Sequence, residues 1–178
     1  YQGDPFYFSV ENVGVYKYSG AITKMSSDSI HSMKASRLSK NLFLSTSSAL
    51  NILNRPGNIF HRYENDHNLT AATLSKDESI VYFSNTKGEL FKYNVETTQK
   101  TKIDVNQSIY PLPRQMVFDE ENNHIYYHDQ FYIYEIDIVD KTKRRLTNRI
   151  ISIASLAYNS KNGKIYFSSS TKQFDFDF

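Results

Sequence analysis

The sequence has no cysteine, which removes a disulfide framework, thiol catalysis and any thiolate-ligated zinc site. Tryptophan is also absent, and six glycines and four prolines are few. None of the glycines clusters into a loop that could cradle a phosphate, and no Gly-x-Ser-x-Gly nucleophile turn occurs. No run of about 18 apolar residues is present, so no segment is built to cross a bilayer as a helix. Charge of one sign is not in surplus. Lys and Arg number 21 and Asp and Glu 19, a net charge of +2 over 178 residues. That balance offers no chain-wide footprint for nucleic acid or an anionic membrane. A 3.6-residue apolar period is nowhere sustained, so helix is not expected. The start shows no signal peptide, although a mature chain would have lost one. The length is one domain's worth and enough to bury a core.

What the chain does have is aromatic residues, 14 Tyr and 12 Phe, arranged in a repeat. An apolar residue, two mostly aromatic ones and usually a Ser recur as Phe6-Tyr7-Phe8-Ser9, Leu42-Phe43-Leu44-Ser45, Val81-Tyr82-Phe83-Ser84, Ile125-Tyr126-Tyr127-His128 and Ile165-Tyr166-Phe167-Ser168. Anchored on the second residue, at 7, 43, 82, 126 and 166, the intervals are 36, 39, 44 and 40. A short apolar run and a polar turn precede four of the anchors. Another β-rich run follows, as in Val15 to Tyr18 and Leu90 to Tyr93, then a polar turn and a fourth short run. Apolar runs of about four residues separated by Asn, Asp, Ser and Lys turns read as antiparallel hairpins. Four such strands in about 40 residues is the signature of a β-propeller blade, and a sandwich would not repeat a motif at fixed offsets.

The expected fold is therefore all-β: a β-propeller of four-stranded blades, six when complete, with residues 1–178 forming a single domain. The chain holds three whole blades and partial ones at about 1–30 and 152–178, so it reads as a partial ring. The tail Phe174-Asp175-Phe176-Asp177-Phe178 alternates like a strand but does not fit the blade pattern.

Strand order sorts the loops onto two faces. One face receives tight, solvated turns: Lys76-Asp77-Glu78, Glu96 to Lys100, Asp119 to Asn123, Asp140 to Lys143 and Lys161 to Lys164. The other receives the longer, aromatic-rich stretches, which combine contact area with hydrogen-bond donors. On it the candidate ligand-binding residues are His61, Arg62, Tyr63, His67, Tyr110, Arg114, His128 and Asp129. Tyr110 leads them, because Pro111 and Pro113 stiffen its loop.

Catalytic chemistry finds no support. The five histidines form no spaced metal motif, and a site would need three ligands converging from different blades. Glu120 and Glu121 sit together in a turn, not on opposite sides of a cleft. Alternating Tyr16-Lys17-Tyr18 and Phe91-Lys92-Tyr93 fit strands with Lys outward better than a base-stacking platform. Two acceptor sites for N-glycosylation, at Asn68 and Asn106, are compatible with secretion.

Val81-Tyr82-Phe83-Ser84 followed by Leu90-Phe91-Lys92-Tyr93-Asn94-Val95-Glu96-Thr97 resembles a blade of the six-bladed YWTD, NHL and gluconolactonase-like propellers. The Trp of the YWTD motif is replaced by Phe83, Tyr127 and Phe167. The overall texture also resembles insect haemolymph propellers of the ommochrome-binding type. That resemblance implies a secreted, non-enzymatic carrier of a small aromatic ligand or pigment, with no cofactor, no catalytic residue and no bound metal. Its partner would be that small molecule or a protein, not nucleic acid or a membrane. The alternatives are a gluconolactonase-like metal-dependent hydrolase, whose Glu, Asn and Asp set does not map onto this chain, and a protein-interaction scaffold.

Overall fold

The computed structural model describes residues 6–10, 14–18, 21–26, 30–35, 42–46, 49–53, 59–64 and 68–169. They contain seventeen β-strands and no helix. The tail 174–178 lies outside the described residues. The chain divides into two compact units, Tyr1–Leu69 and Thr70–Phe178.

In the first unit, β1 (Phe6–Val10), β2 (Gly14–Tyr18) and β3 (Ile22–Ser26) form a three-stranded antiparallel sheet. The strands β4 (Ile30–Ala35), β5 (Leu42–Thr46), β6 (Ala49–Leu53) and β7 (Ile59–Glu64) form a four-stranded one in sequence order. Val15 from the first sheet packs with Leu42, Leu44 and Leu53 of the second, joining them through one apolar cluster.

The second unit repeats the arrangement. One sheet comprises β8 (Leu69–Leu74), β9 (Ile80–Asn85), β10 (Leu90–Asn94) and β11 (Lys100–Ile103). The next comprises β12 (Gln115–Asp119), β13 (His124–His128), β14 (Ile133–Asp137) and β15 (Thr142–Arg145). A two-stranded sheet follows, β16 (Ile153–Asn159) with β17 (Lys164–Ser169). Within each sheet consecutive strands pair, as hairpin after hairpin demands.

The repeated aromatic motif now has a physical reason. The β12–β15 sheet is covered on both sides. Ile125 and Tyr127 point into a cluster with Ala71, Tyr82, Leu90 and Met116, while Tyr126 points the other way to Ile133, Ile153 and Leu156. A strand buried on both faces cannot alternate polar with apolar, so it reads as a continuous apolar run. Cross-strand stacking adds register: Phe83 lies on Phe91 at 5.3 Å and Tyr127 on Tyr134 at 4.9 Å between ring centroids. In the β4–β7 sheet the corresponding pair is Leu44 and Asn51, and Asn51 is buried.

The tight turns carry their own caps. At one end of the blades, Ser75 Oγ accepts from Ile80 N, Asn94 Oδ1 from Glu96 N and Thr97 N, and Asp137 Oδ1 from Val139 N and Asp140 N. Glu78, Thr98, Asn123 and Lys141 hold left-handed φ values of 62°, 57°, 57° and 58° at these turns. The chain thus makes its hairpins with few glycines, using Asx-type hydrogen bonds to offset the conformational cost.

Asp77 sharpens this into a prediction. Its carboxylate accepts from Ser75 Oγ at 2.6 Å, from Ser79 N at 3.1 Å and from Ser79 Oγ at 2.8 Å. These bonds, the Ser75 one foremost, hold its pKa below the ordinary aspartate value. A group depressed on folding contributes stability above its unfolded pKa and loses it as pH falls from that value through the lowered folded one. The urea midpoint of the protein should therefore fall as pH drops below about 4. Asp77→Asn should flatten that fall, and an identical pH profile for the two proteins would refute the assignment.

Candidate functional site

The other end of each four-stranded sheet, where its second strand turns into its third, is also capped. Thr46 Oγ1 accepts from Ala49 N, Asn85 Oδ1 from Lys87 N and Glu89 N, and Asp129 Oδ1 from Phe131 N at 2.7 Å and Tyr132 N at 2.8 Å. All three stand three residues beyond their anchors. Asp129 Oδ2 in turn accepts from Tyr134 Oη at 3.3 Å. Both oxygens of Asp129 are thus engaged within its own turn. Asp129 is the turn cap of its blade.

His128 likewise departs from the expectation of an exposed loop residue. It is the last residue of β13 and only 2% exposed. It occupies the place held in the neighbouring sheet by buried Ser84, which bonds Thr70 Oγ1 at 2.6 Å. Neither His128 ring nitrogen has a hydrogen-bond partner among the described residues. Burial pushes its pKa down, which keeps the ring neutral. A surface ligand cannot reach it without opening the blade.

His61, Arg62 and Tyr63 are not in a loop. They lie within β7, opposite Ile52, Asn51 and Leu50 of β6. A fourth strand lies at the sheet edge, where His and Arg are tolerated, and that composition reads as a loop when the sheet is not in view. They also belong to a different unit from Tyr110. His67 lies outside the described residues.

Tyr110 and Arg114 are both exposed. Tyr110 is 50% exposed, yet its loop is tied down. Its Oη donates to Thr86 O at 2.6 Å. The Lys143 ammonium donates to Ser108 O at 2.8 Å and Tyr110 O at 2.6 Å, and Ile109 N to Gly88 O at 3.3 Å. Ile109 is buried and accepts from Tyr127 Oη at 3.4 Å. The ring lies against Gly88, where a Cβ would come within 2.8 Å of it. The expected stiffening by Pro111 and Pro113 is thus joined by five hydrogen bonds; the Tyr110–Pro111 peptide is cis. Arg114 donates its backbone N–H to His128 O at 2.8 Å and exposes its side chain.

Two further pairs at this end were not singled out from the sequence. Arg145 stacks over Tyr132 at 4.9 Å and Arg149 over Phe131 at 5.0 Å from the ring centroids. The pairing arises because β14 and β15 place Tyr134 opposite Arg145, and Ile150 N then bonds Phe131 O. The only sequence signal was the basic run from Lys141 to Arg149.

At the opposite side of the same sheet, His124 sits between Glu135 (3.5 Å) and Asp137 (3.4 Å), and Arg144 Nε bonds Glu135 at 2.6 Å. Among the described residues no group of three or more His, Asp or Glu is arranged to hold a metal ion. No helix there is long and apolar enough to cross a membrane.

No protein-family model matches the sequence, and no curated protein matches it. Solved structures do resemble the fold. The WD40 domain of Toxoplasma gondii coronin aligns with 93% of this chain at a TM-score of 0.70 and 10% identity. Kuenenia stuttgartiensis hydrazine synthase aligns with 74% of it at 0.59 and 15% identity. The chain spans 50% and 39% of the length of those two structures. At such identities the likeness concerns the fold alone. Together with the four-stranded antiparallel sheets, it defines an all-β protein of the β-propeller type. Membership of the YWTD, NHL, gluconolactonase-like or ommochrome-binding groups is not carried by these likenesses.

Proposed function

We propose that this chain is a non-catalytic β-propeller binding module, a single domain over 1–178, that engages a protein partner through the face bearing Tyr110. The observation that carries the reading is a half-exposed aromatic ring on a loop held by hydrogen bonds from three neighbouring segments. A rigid aromatic anchor offers large contact area with little entropy left to lose on binding. The opposite end of the blades presents tight turns capped by Ser75, Asn94 and Asp137.

The test is site-specific photocrosslinking. Benzoylphenylalanine replaces Tyr110 in one variant and Lys161, at the opposite end, in another, in the cells or fluid from which the protein is recovered. Partner crosslinks are expected at 110. Capture at 161 that equals or exceeds capture at 110 would put the surface elsewhere.

A small aromatic molecule stacked on the same ring is the narrower form of this reading. It predicts an absorbing species that co-purifies and is lost on Tyr110→Ala. Losing a central aromatic anchor costs about 2 kcal/mol, roughly thirtyfold in affinity. A colourless preparation with no bound small molecule by mass spectrometry would remove this narrower form. Secretion belongs to the same proposal. Asn68 and Asn106 are both exposed, so passage through a secretory pathway is expected to add glycan mass that Asn68→Gln with Asn106→Gln abolishes.

A further inference from the structure

We infer that the Tyr110 face takes an acidic partner, an aspartate- and glutamate-rich segment held by Arg114, Arg145 and Arg149; this rests on the binding-module reading above.

The chain-wide charge balance conceals a strong local imbalance. From Lys141 to Phe174 there is no acidic residue, while Lys141, Lys143, Arg144, Arg145 and Arg149 fall within nine positions. Two carboxylates near this end of the blades are already used. Asp129 caps its turn, and Glu89 is held by Asn85 Nδ2 and by Lys102 Nζ, each at 2.9 Å. Arg144 is likewise spent, with both of its hydrogen bonds on Glu135. By contrast, Arg114, Arg145 and Arg149 are exposed and form no ion pair among the described residues.

Two of these cations are also pre-positioned. Tyr132 and Phe131 each support the flat of a guanidinium, which leaves its N–H edge free to donate. An edge presented this way matches a carboxylate in two-point contact. The three arginines come from three segments, namely the β11–β12 loop, β15 and the β15–β16 loop. Such a spread suits several carboxylates along an extended segment better than one compact anion. Nucleic acid fits less well, because the rings that would stack bases already carry guanidinium groups. Tyr110, half-exposed, supplies an uncharged contact.

The experiment uses the intact chain and three fluorescein-labelled probes: oligoglutamate, oligoglutamine and single-stranded oligothymidylate, read by anisotropy. Oligoglutamate should bind and weaken as salt rises, and oligoglutamine should not bind. The double variant Arg145→Glu/Arg149→Glu should lose tenfold or more. Lys161→Glu/Lys164→Glu, at the opposite end, should stay within twofold. If the charge-reversed protein fails to fold, Arg145→Gln/Arg149→Gln carries the same comparison at the same exposed positions. Equal binding of oligoglutamate and oligoglutamine, equal loss in both double variants, or tighter binding of oligothymidylate would each overturn the acidic-partner inference. The photocrosslink at position 110 separates the two claims. If it persists while oligoglutamate fails, the face stands and the acidic partner falls; if both fail, both fall.

Discussion

Tyr127→Ala should cost about 3–5 kcal/mol of stability, whereas Tyr166→Ala, at the equivalent of Tyr126 in the last repeat, should cost less than about 1 kcal/mol. Tyr127 is fully buried, stacks on Tyr134 at 4.9 Å and packs with Ile125, Met116 and Leu90. Deleting its ring leaves a cavity between two sheets that cannot collapse without moving a strand. A domain of this size has about 5–15 kcal/mol in total, so the variant should be largely unfolded at modest urea. Tyr166 is 51% exposed and Phe167 47%, because β17 has only β16 beside it among the described residues. Tyr127→Phe should cost only about 1 kcal/mol, since it keeps the ring and loses one 3.4 Å hydrogen bond. Urea denaturation of the three variants decides the matter. Similar midpoints for Tyr127→Ala and Tyr166→Ala would contradict burial of Tyr127 between the two sheets.

Gly88→Ala is the second large effect, and it reaches the site. Gly88 has φ of 71°, a conformation that costs an L residue about 1–2 kcal/mol. The added methyl would stand 2.6 Å from Ser108 Oγ and 2.8 Å from the Tyr110 ring. The serine hydroxyl can rotate away. The ring cannot do so while its Oη stays on Thr86 O. The substitution should therefore cost about 2–3 kcal/mol and displace Tyr110 from its rest. A double-mutant cycle with Tyr110→Ala separates the two contributions. If the ring is the obstacle, Gly88→Ala costs less once Tyr110 is gone. Strict additivity would leave only backbone strain and would detach Gly88 from the site.

The blade pattern was legible because burial on both faces writes itself into composition. Tyr7, Phe43, Tyr82, Tyr126 and Tyr166 all fall within strands, β1, β5, β9, β13 and β17. The turn chemistry was legible for a similar reason. Asn, Asp and Ser caps act over two or three residues, so sequence spacing already places donor and acceptor together. The fourth strands were harder. His61, Arg62 and Tyr63 carry no mark that separates an outer strand from a loop, because pairing on one edge asks little of side-chain polarity.

The sequence by itself therefore determined the repeat of hairpins and the aromatic core that joins them, since both follow from local periodicity and the need to bury apolar surface. Only the tertiary structure decided which polar groups remain free to bind. Asp129 and Glu89 are consumed by contacts within a few residues or across one strand, whereas Arg145 and Arg149 meet Tyr132 and Phe131 only through the β14–β15 register and the return of the chain past Phe131. Hydrogen-bond and stacking partners lie within a few ångströms in space but up to tens of residues apart in the chain, so availability of a side chain is a property of the fold and not of its neighbours in sequence.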